Sequence, residues 1–172
     1  MKSRQLGEVF AGKVFAVTRD KVTIPGKGEV VREIVRHAGA AAIVPLVSDT
    51  EVLLVKQYRF AAMADLWEIP AGTLEPGESP EECAARELEE EIGYRAGEIR
   101  LVLRFYTTPG FCNELMHLFV ARNLTPGRQK LDKDESLVTG TFQLDRARAM
   151  IVAGEICDAK TIVGLAAVSD WL

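Results

Sequence analysis

Glu87, Glu90 and Glu91 stand at i, i+3 and i+4, with Glu82 and Glu89 close by. On a helix these spacings set side chains about 5–6 Å apart on one surface, where like charges cost roughly 0.2–0.5 kcal/mol per pair. Most acidic helical faces are simply solvated, and Arg86, four residues before Glu90, offsets part of the charge here. The other chemistry open to such a face is coordination of a hard divalent cation. Mg²⁺ takes oxygen ligands and sits beside bound phosphates, and an ion there would remove the conflict between the carboxylates.

The helix that must present these residues is the most strongly signalled element of the chain. Ser79 as N-cap, Pro80 at N1 and Glu82 at N3 form a capping box with the preferred N-terminal proline. Ala84, Leu88 and Ile92 share one face, and Gly93 sits where a C′ glycine belongs. Around it the chain reads mostly as short strands. Glu8–Phe10 and Val14–Val17 suggest an N-terminal hairpin-like region, Ile24 to Gly28 a turn, and Val30–Val35 a further strand. Ala40–Val47 and Val52–Tyr58 are β-rich runs joined by Ser48-Asp49-Thr50, and Leu66–Ile69 is stopped by Pro70-Ala71-Gly72. Strands are predicted at Arg100–Thr107, Leu115–Ala121 and Leu137–Leu144, then helices at Asp145–Val152 and Ala159–Leu172. This order predicts an α+β fold, a mixed β-sheet flanked by helices with a small N-terminal β region.

The bulk composition narrows the classes. A chain of 172 residues is one ordinary domain with room for a small extension, and at 48% hydrophobic and 27% charged it can bury a core. The longest nearly apolar stretch, Gly39 to Val47, is too short to span a bilayer, and no secretory signal is visible after Met1. Cys83, Cys112 and Cys157 are odd in number and lack metal-ligand spacing, so free thiols in the cytoplasm fit best. His37 and His117 are too few for a histidine-built metal site. A net charge of −4 argues against a general nucleic-acid binder, though not against a nucleotide held by local cations or a metal.

Read from Gly72, the chain runs Gly72, five residues, Glu78, seven residues, Arg86-Glu87-Leu88, one residue, Glu90-Glu91, one residue, Gly93-Tyr94. This resembles the Nudix box, the signature of Nudix hydrolases. Only Tyr94 departs from it, where an aliphatic residue is usual. The resemblance implies a loop–helix–loop on a mixed sheet and hydrolysis of the phosphoanhydride bond of a nucleoside-diphosphate derivative. It implies Glu87 and Glu91 as principal ligands of Mg²⁺, with Mn²⁺ as the substitute and more than one ion per site. Glu90 would be a further ligand and the Ala71 carbonyl a backbone ligand. Arg86 would orient the glutamates, and Gly72 would permit the turn beside the metal. For Glu78, a salt bridge to Arg86 and a catalytic role both stand.

Outside the box, Arg36-His37-Ala38-Gly39-Ala40, Val55-Lys56-Gln57-Tyr58-Arg59, Trp67 to Gly72 and Thr108-Pro109-Gly110-Phe111 are similar to the ADP-ribose pyrophosphatase branch. So are Gly154-Glu155-Ile156 and Asp158-Ala159-Lys160-Thr161. That resemblance implies ADP-ribose as substrate, cleaved to AMP and ribose 5-phosphate. Arg59 would contact the diphosphate or terminal ribose. Arg36 with Glu33, the turn at Pro109, Gly110 and Phe111, and Glu114 would supply further substrate contacts. Guanidinium suits this because its planar fork matches phosphate oxygens and ribose hydroxyls. Trp67 reads as core rather than as an adenine platform, and Phe15 is the stacking candidate. Glu135, just before the strand at Leu137, would be the catalytic base. The branch also implies a homodimer, with residues 1–38 engaged in dimerisation and 39–172 forming the hydrolase domain, and no nucleic-acid or membrane partner. Another sugar nucleotide such as GDP-mannose is the alternative substrate, and a non-catalytic ADP-ribose-sensing module is the alternative role. An isomerase of diphosphate lipids would need a catalytic cysteine motif that the chain lacks.

Overall fold

The computed structural model describes residues 2–131 and 136–168, so Glu135 lies outside the described residues. The chain divides into two units. Residues up to Gly39 with Phe105–Met116 form the first, and Ala40–Arg104 with His117 onward form the second.

In the first unit, β1 (Lys2–Ala11), β2 (Phe15–Ile24) and β3 (Gly28–His37) form an antiparallel sheet in that order. The predicted hairpin is thus a three-stranded sheet with longer strands. The turn at 24–28 depends on Gly26 and Gly28, whose φ values of 73° and 84° disfavour any side chain. The segment 108–113 fastens to β3: Val35 N–H donates to the Phe111 carbonyl at 2.8 Å, and His37 N–H to Asn113 Oδ1 at 2.8 Å. Leu6, Val9, Phe10, Val14, Phe15 and Val31 are all exposed on this sheet.

The second unit is α+β, a mixed seven-stranded sheet with three helices among the described residues. Its strands are β4 (Ala40–Ser48), β5 (Glu51–Arg59), β6 (Ala64–Glu68), β7 (Ala71–Thr73), β8 (Tyr94–Tyr106), β9 (Leu115–Pro126) and β10 (Val138–Gln143). The central path runs β10-β5-β4-β9-β8, with β6 on β5 and β7 on β4. The near-continuous apolar run of β4 fits a central strand, and Ala41 to Val44 have no exposed surface. Two expectations are corrected here. Pro70-Ala71-Gly72 does not simply end a strand, because Ala71–Thr73 pairs with Ala40–Ala42. The strand predicted from Arg100 begins at Tyr94, directly after the helix.

Helix α1 (Pro80–Ile92) forms as its caps dictate. Ser79 is extended at φ −75°, ψ 152°; its Oγ accepts from Glu82 N–H, and Glu82 Oε2 accepts from Ser79 N–H at 2.8 Å. Gly93 takes the left-handed conformation at φ 72° and donates to the Glu89 carbonyl at 2.9 Å. Cys83, Ala84, Leu88 and Ile92 are buried in a core shared with Ile43, Val55 and Phe119. Full burial of Leu88 alone is worth about 1.5–3 kcal/mol, so packing on the sheet fixes which face carries the glutamates. Helix α2 (Leu144–Val152) starts one residue earlier than predicted, with Leu144 buried. Helix α3 (Ala159–Ala167) is capped by Asp158 and docks closely at Gly164, where an added Cβ would lie 3.0 Å from Ile69 and from Val44. The three cysteines are free, and no described helix is long and apolar enough to cross a membrane.

Candidate active site

Arg86, on the second turn of α1, is the hub of the acidic face. Its Nε and Nη2 donate to the two oxygens of Glu78 at 2.8 and 3.0 Å, a two-pronged pair. Its Nη1 donates to Glu87 Oε1 at 2.6 Å and Glu90 Oε2 at 3.1 Å. One guanidinium therefore gathers three of the carboxylates singled out in the sequence. The Arg86 contacts hold the Glu78 carboxyl down at about 2 from an ordinary 4.5, and the Glu75 N–H reinforces this. With both oxygens so engaged, Glu78 is a salt bridge tying the loop to α1. The other reading, Glu78 as a catalytic acid or base, finds no support in this geometry.

Beneath Arg86 lies β7. A Cβ built on Gly72 would sit 1.7 Å from Glu87 Oε1 and 2.2 Å from its Cδ. Gly72 has no left-handed φ, so the sequence expectation of a turn-permitting glycine is corrected. The strand is ordinary here, and glycine leaves the space that the Glu87 carboxylate fills. Glu91 is only 4% exposed, on the buried side of α1. Cys83 lies against the Gly72 and Thr73 carbonyls at 3.6 and 3.7 Å. Burial pushes its thiol up to about 12, which keeps it un-ionised and unreactive.

Arg59, at the end of β5, makes a fork with Glu68: Nε to Oε1 at 2.7 Å and Nη2 to Oε2 at 2.6 Å. Lys160 of α3 also donates to Glu68. Burial alone would push the Glu68 carboxyl up, but Arg59 and Lys160 outweigh it and hold it below the ordinary range. The Glu68 contact raises the Arg59 affinity for its proton, and Glu91 adds to that at longer range. Trp67 packs edge-on against Phe142 with centroids 4.8 Å apart, but both rings are half-buried on the sheet, not in the core that the sequence suggested for Trp67.

In the first unit, Arg36, Glu33, Pro109, Gly110 and Phe111 line one cavity of about 410 Å³ together with Tyr106. Arg36 is held from behind, with Nη2 on Asp20 at 2.7 Å and Nε on Thr18 at 3.0 Å. Glu33 pairs with Arg19 at 3.4 Å. Glu114 accepts from the Thr107 hydroxyl at 2.6 Å and lies 3.7 Å from His37 Nδ1. Phe15 is exposed and tilted against Phe10.

A family model described as the NUDIX domain matches residues 36–157. The chain belongs to the Nudix family. A relative, the ADP-ribose pyrophosphatase of Bacillus subtilis (strain 168), is 40% identical over 156 residues, 90% of this chain and 84% of that one. A methanol dehydrogenase activator of Bacillus methanolicus is 37% identical over 166 residues, 95% and 90% of the two chains. The crystal structure of an ADP compounds hydrolase has a TM-score of 0.85 at 24% identity, covering 100% of this chain and 95% of that one, which shows the fold.

Nudix hydrolases use divalent metal ions. Among the described residues no three acidic, histidine or cysteine side chains already converge as a closed ligand cluster. The donor chemistry nonetheless suits a hard cation. It consists of carboxylate oxygens on α1 and main-chain carbonyls of β7, with the Glu87 carboxylate lying in the cradle left by Gly72. What the sequence did not reveal is the support behind each arginine. Asp20 and Glu68 are both buried, and Lys160 and Asp158 bind at the same corner as Glu68. The one local signal for Glu68 was an acid flanked by Trp67 and Ile69 in an apolar strand.

Proposed function

We propose that this chain hydrolyses ADP-ribose to AMP and ribose 5-phosphate in the cytoplasm with Mg²⁺, Mn²⁺ being the substitute and more than one ion binding per site. The observation that carries the reading is the gathering of Glu78, Glu87 and Glu90 by Arg86 over the Gly72 cradle. A 40% identity to an ADP-ribose pyrophosphatase, over a match covering 90% of this chain, supports the substrate. Glu87, Glu90, Glu91 and the Ala71 carbonyl would hold the metal. When bound, it supplies charge neutralisation for phosphate and makes water more acidic. The chain's own part is to place these groups. Arg86 holds the carboxylates together and aimed, and Arg59 takes diphosphate oxygens. Glu135 accepts the proton of the attacking water as the new P–O bond forms and the anhydride P–O bond breaks. Arg36, Glu33, Pro109, Gly110, Phe111 and Glu114 are the remaining proposed substrate contacts, a role supported for the first five by their shared cavity.

Purified protein with Mg²⁺ should be offered ADP-ribose, GDP-mannose, NADH and diadenosine polyphosphates, and kcat/KM compared. ADP-ribose is expected to lead. A deficit beyond about tenfold against another substrate, ~1.4 kcal/mol in transition-state binding, would overturn the substrate but leave the hydrolase. In the same assay Glu135→Gln is expected to lower kcat by about 10²–10⁴-fold, the range for a lost general base.

Residues 1–38 are proposed to mediate homodimerisation, with 39–172 as the catalytic domain. The six exposed apolar side chains of the β1–β3 sheet support this. Light scattering should give twice the mass of 18.9 kDa, and a monomer at assay concentration would sink the idea.

A further inference from the structure

Glu68 closes β6 with 1% of its surface exposed, between Trp67 and Ile69. Burying an ion pair is a poor way to gain stability, since apolar side chains of similar volume commonly do as well or better. A buried carboxylate at the edge of an active site therefore calls for another account. Its two cations are unequal. The Lys160 side chain is 11% exposed and is also held by Asp158 at 3.1 Å. The Arg59 side chain is 43% exposed, and Glu68 engages only its Nε and Nη2. The Nη1 edge stays outside the fork. The corner is locked by α3 as well: the Thr161 hydroxyl accepts from Ile69 N–H at 2.9 Å and donates to Asp158 at 2.6 Å. Glu91 of α1 acts electrostatically on Arg59.

We propose that Glu68, braced by Lys160, is the positioning residue that fixes the Arg59 guanidinium to receive the substrate's diphosphate. This rests on the reading of Arg59 as a diphosphate contact. A long exposed arginine would otherwise lose side-chain freedom each time it bound, and the fork removes that cost beforehand. It also selects which edge of the guanidinium faces outward. Lys160 also donates to Glu68, so the carboxylate's charge is shared between two cations and is not spent on Arg59 alone.

The test is a double-mutant cycle on Glu68→Gln and Arg59→Lys. Its readouts are kcat and KM for ADP-ribose and calorimetric binding of the α,β-methylene analogue of ADP-ribose without metal. Each single substitution should weaken analogue binding and raise KM roughly ten- to a hundredfold, the worth of a charged hydrogen-bonded contact, with kcat falling less. The double variant should be no worse than Arg59→Lys alone, because Glu68 acts only through Arg59. Multiplying fold-changes, or an unchanged KM in Glu68→Gln, would overturn the proposal. Should Glu68→Gln fail to fold, Glu68→Gln/Lys160→Met removes both charges of the pair and leaves Asp158 its Thr161 contacts, and it too must raise KM. Wild-type protein that neither binds the analogue nor hydrolyses ADP-ribose overturns the functional reading and the positioning role together. Wild-type activity with an additive cycle overturns the positioning role alone.

Discussion

Gly72→Ala is expected to lower turnover by at least about 10²-fold while leaving the protein folded. The added Cβ would stand 1.7 Å from Glu87 Oε1 and 2.9 Å from its Cγ. No small adjustment resolves such an overlap, so the carboxylate must leave its place. A shift of about 1 Å at a reacting centre can already cost about 10²-fold, and this one is larger. Elsewhere the change is mild. Gly72 sits in a strand with ordinary φ, so alanine brings no backbone strain, and the side chain that must move, though only 12% exposed, is not part of the apolar core. Metal affinity should fall together with turnover, since Glu87 is a proposed ligand. Thermal melting, Mn²⁺ binding followed by electron paramagnetic resonance, and turnover make the comparison. Wild-type melting with more than a tenth of wild-type turnover would show that Glu87 is not needed where it stands.

The same glycine shows what was legible in the sequence and what was not. The cap signals around α1 are local: Ser79, Pro80, Glu82 and Gly93 each act within four residues, and the helix begins and ends where they predict. The glutamate spacing was equally local, so helical periodicity alone was enough to draw the acidic face. Strand β7 was not legible, because Ala71–Thr73 is a strand only through pairing with Ala40–Ala42, about thirty residues away. Gly72 was expected to permit a turn because the resemblance to the Nudix box implies one there. Its true constraint is a side chain approaching from the second turn of a helix. The arginines divide the same way. Arg36 and Arg59 were expected as substrate contacts from the family resemblance, to which guanidinium chemistry is suited. Their partners Asp20 and Glu68, and the Lys160 behind Glu68, are set by strand register and by how α3 docks. Asp20 carries no local mark that distinguishes a buried clamp from a solvated edge, and Glu68 only its apolar neighbours Trp67 and Ile69.

Removing the Arg86 guanidinium should have the second large effect, visible in both rate and acid stability. In Arg86→Met, Glu78, Glu87 and Glu90 lose their shared donor. Glu87 and Glu90 can then swing apart, and turnover is expected to fall by about 10²-fold or more. Arg86→Lys should recover little, since a point charge cannot serve the Glu78 fork and two further carboxylates together. The stability loss should be of order 2 kcal/mol, between the near-zero worth of a surface pair and the ~3–5 kcal/mol for breaking a fully buried one. Its pH dependence identifies the partner. In the wild type the Glu78 carboxyl is held at about 2 against an ordinary 4.5. Its contribution is therefore complete above pH 4.5 and is lost as pH falls through about 2. In the variant the carboxyl keeps only the Glu75 N–H contact, returns toward its ordinary value and contributes far less. The melting-temperature gap between wild type and Arg86→Met should accordingly be widest near neutrality and shrink as pH drops from 4.5 to 2. Glu78→Gln should reproduce that shrinking gap with a smaller loss of rate, because Glu87 and Glu90 keep their donor. A gap that stays constant across that window would mean that Arg86 stabilises the protein by packing, and that the Glu78 fork contributes nothing.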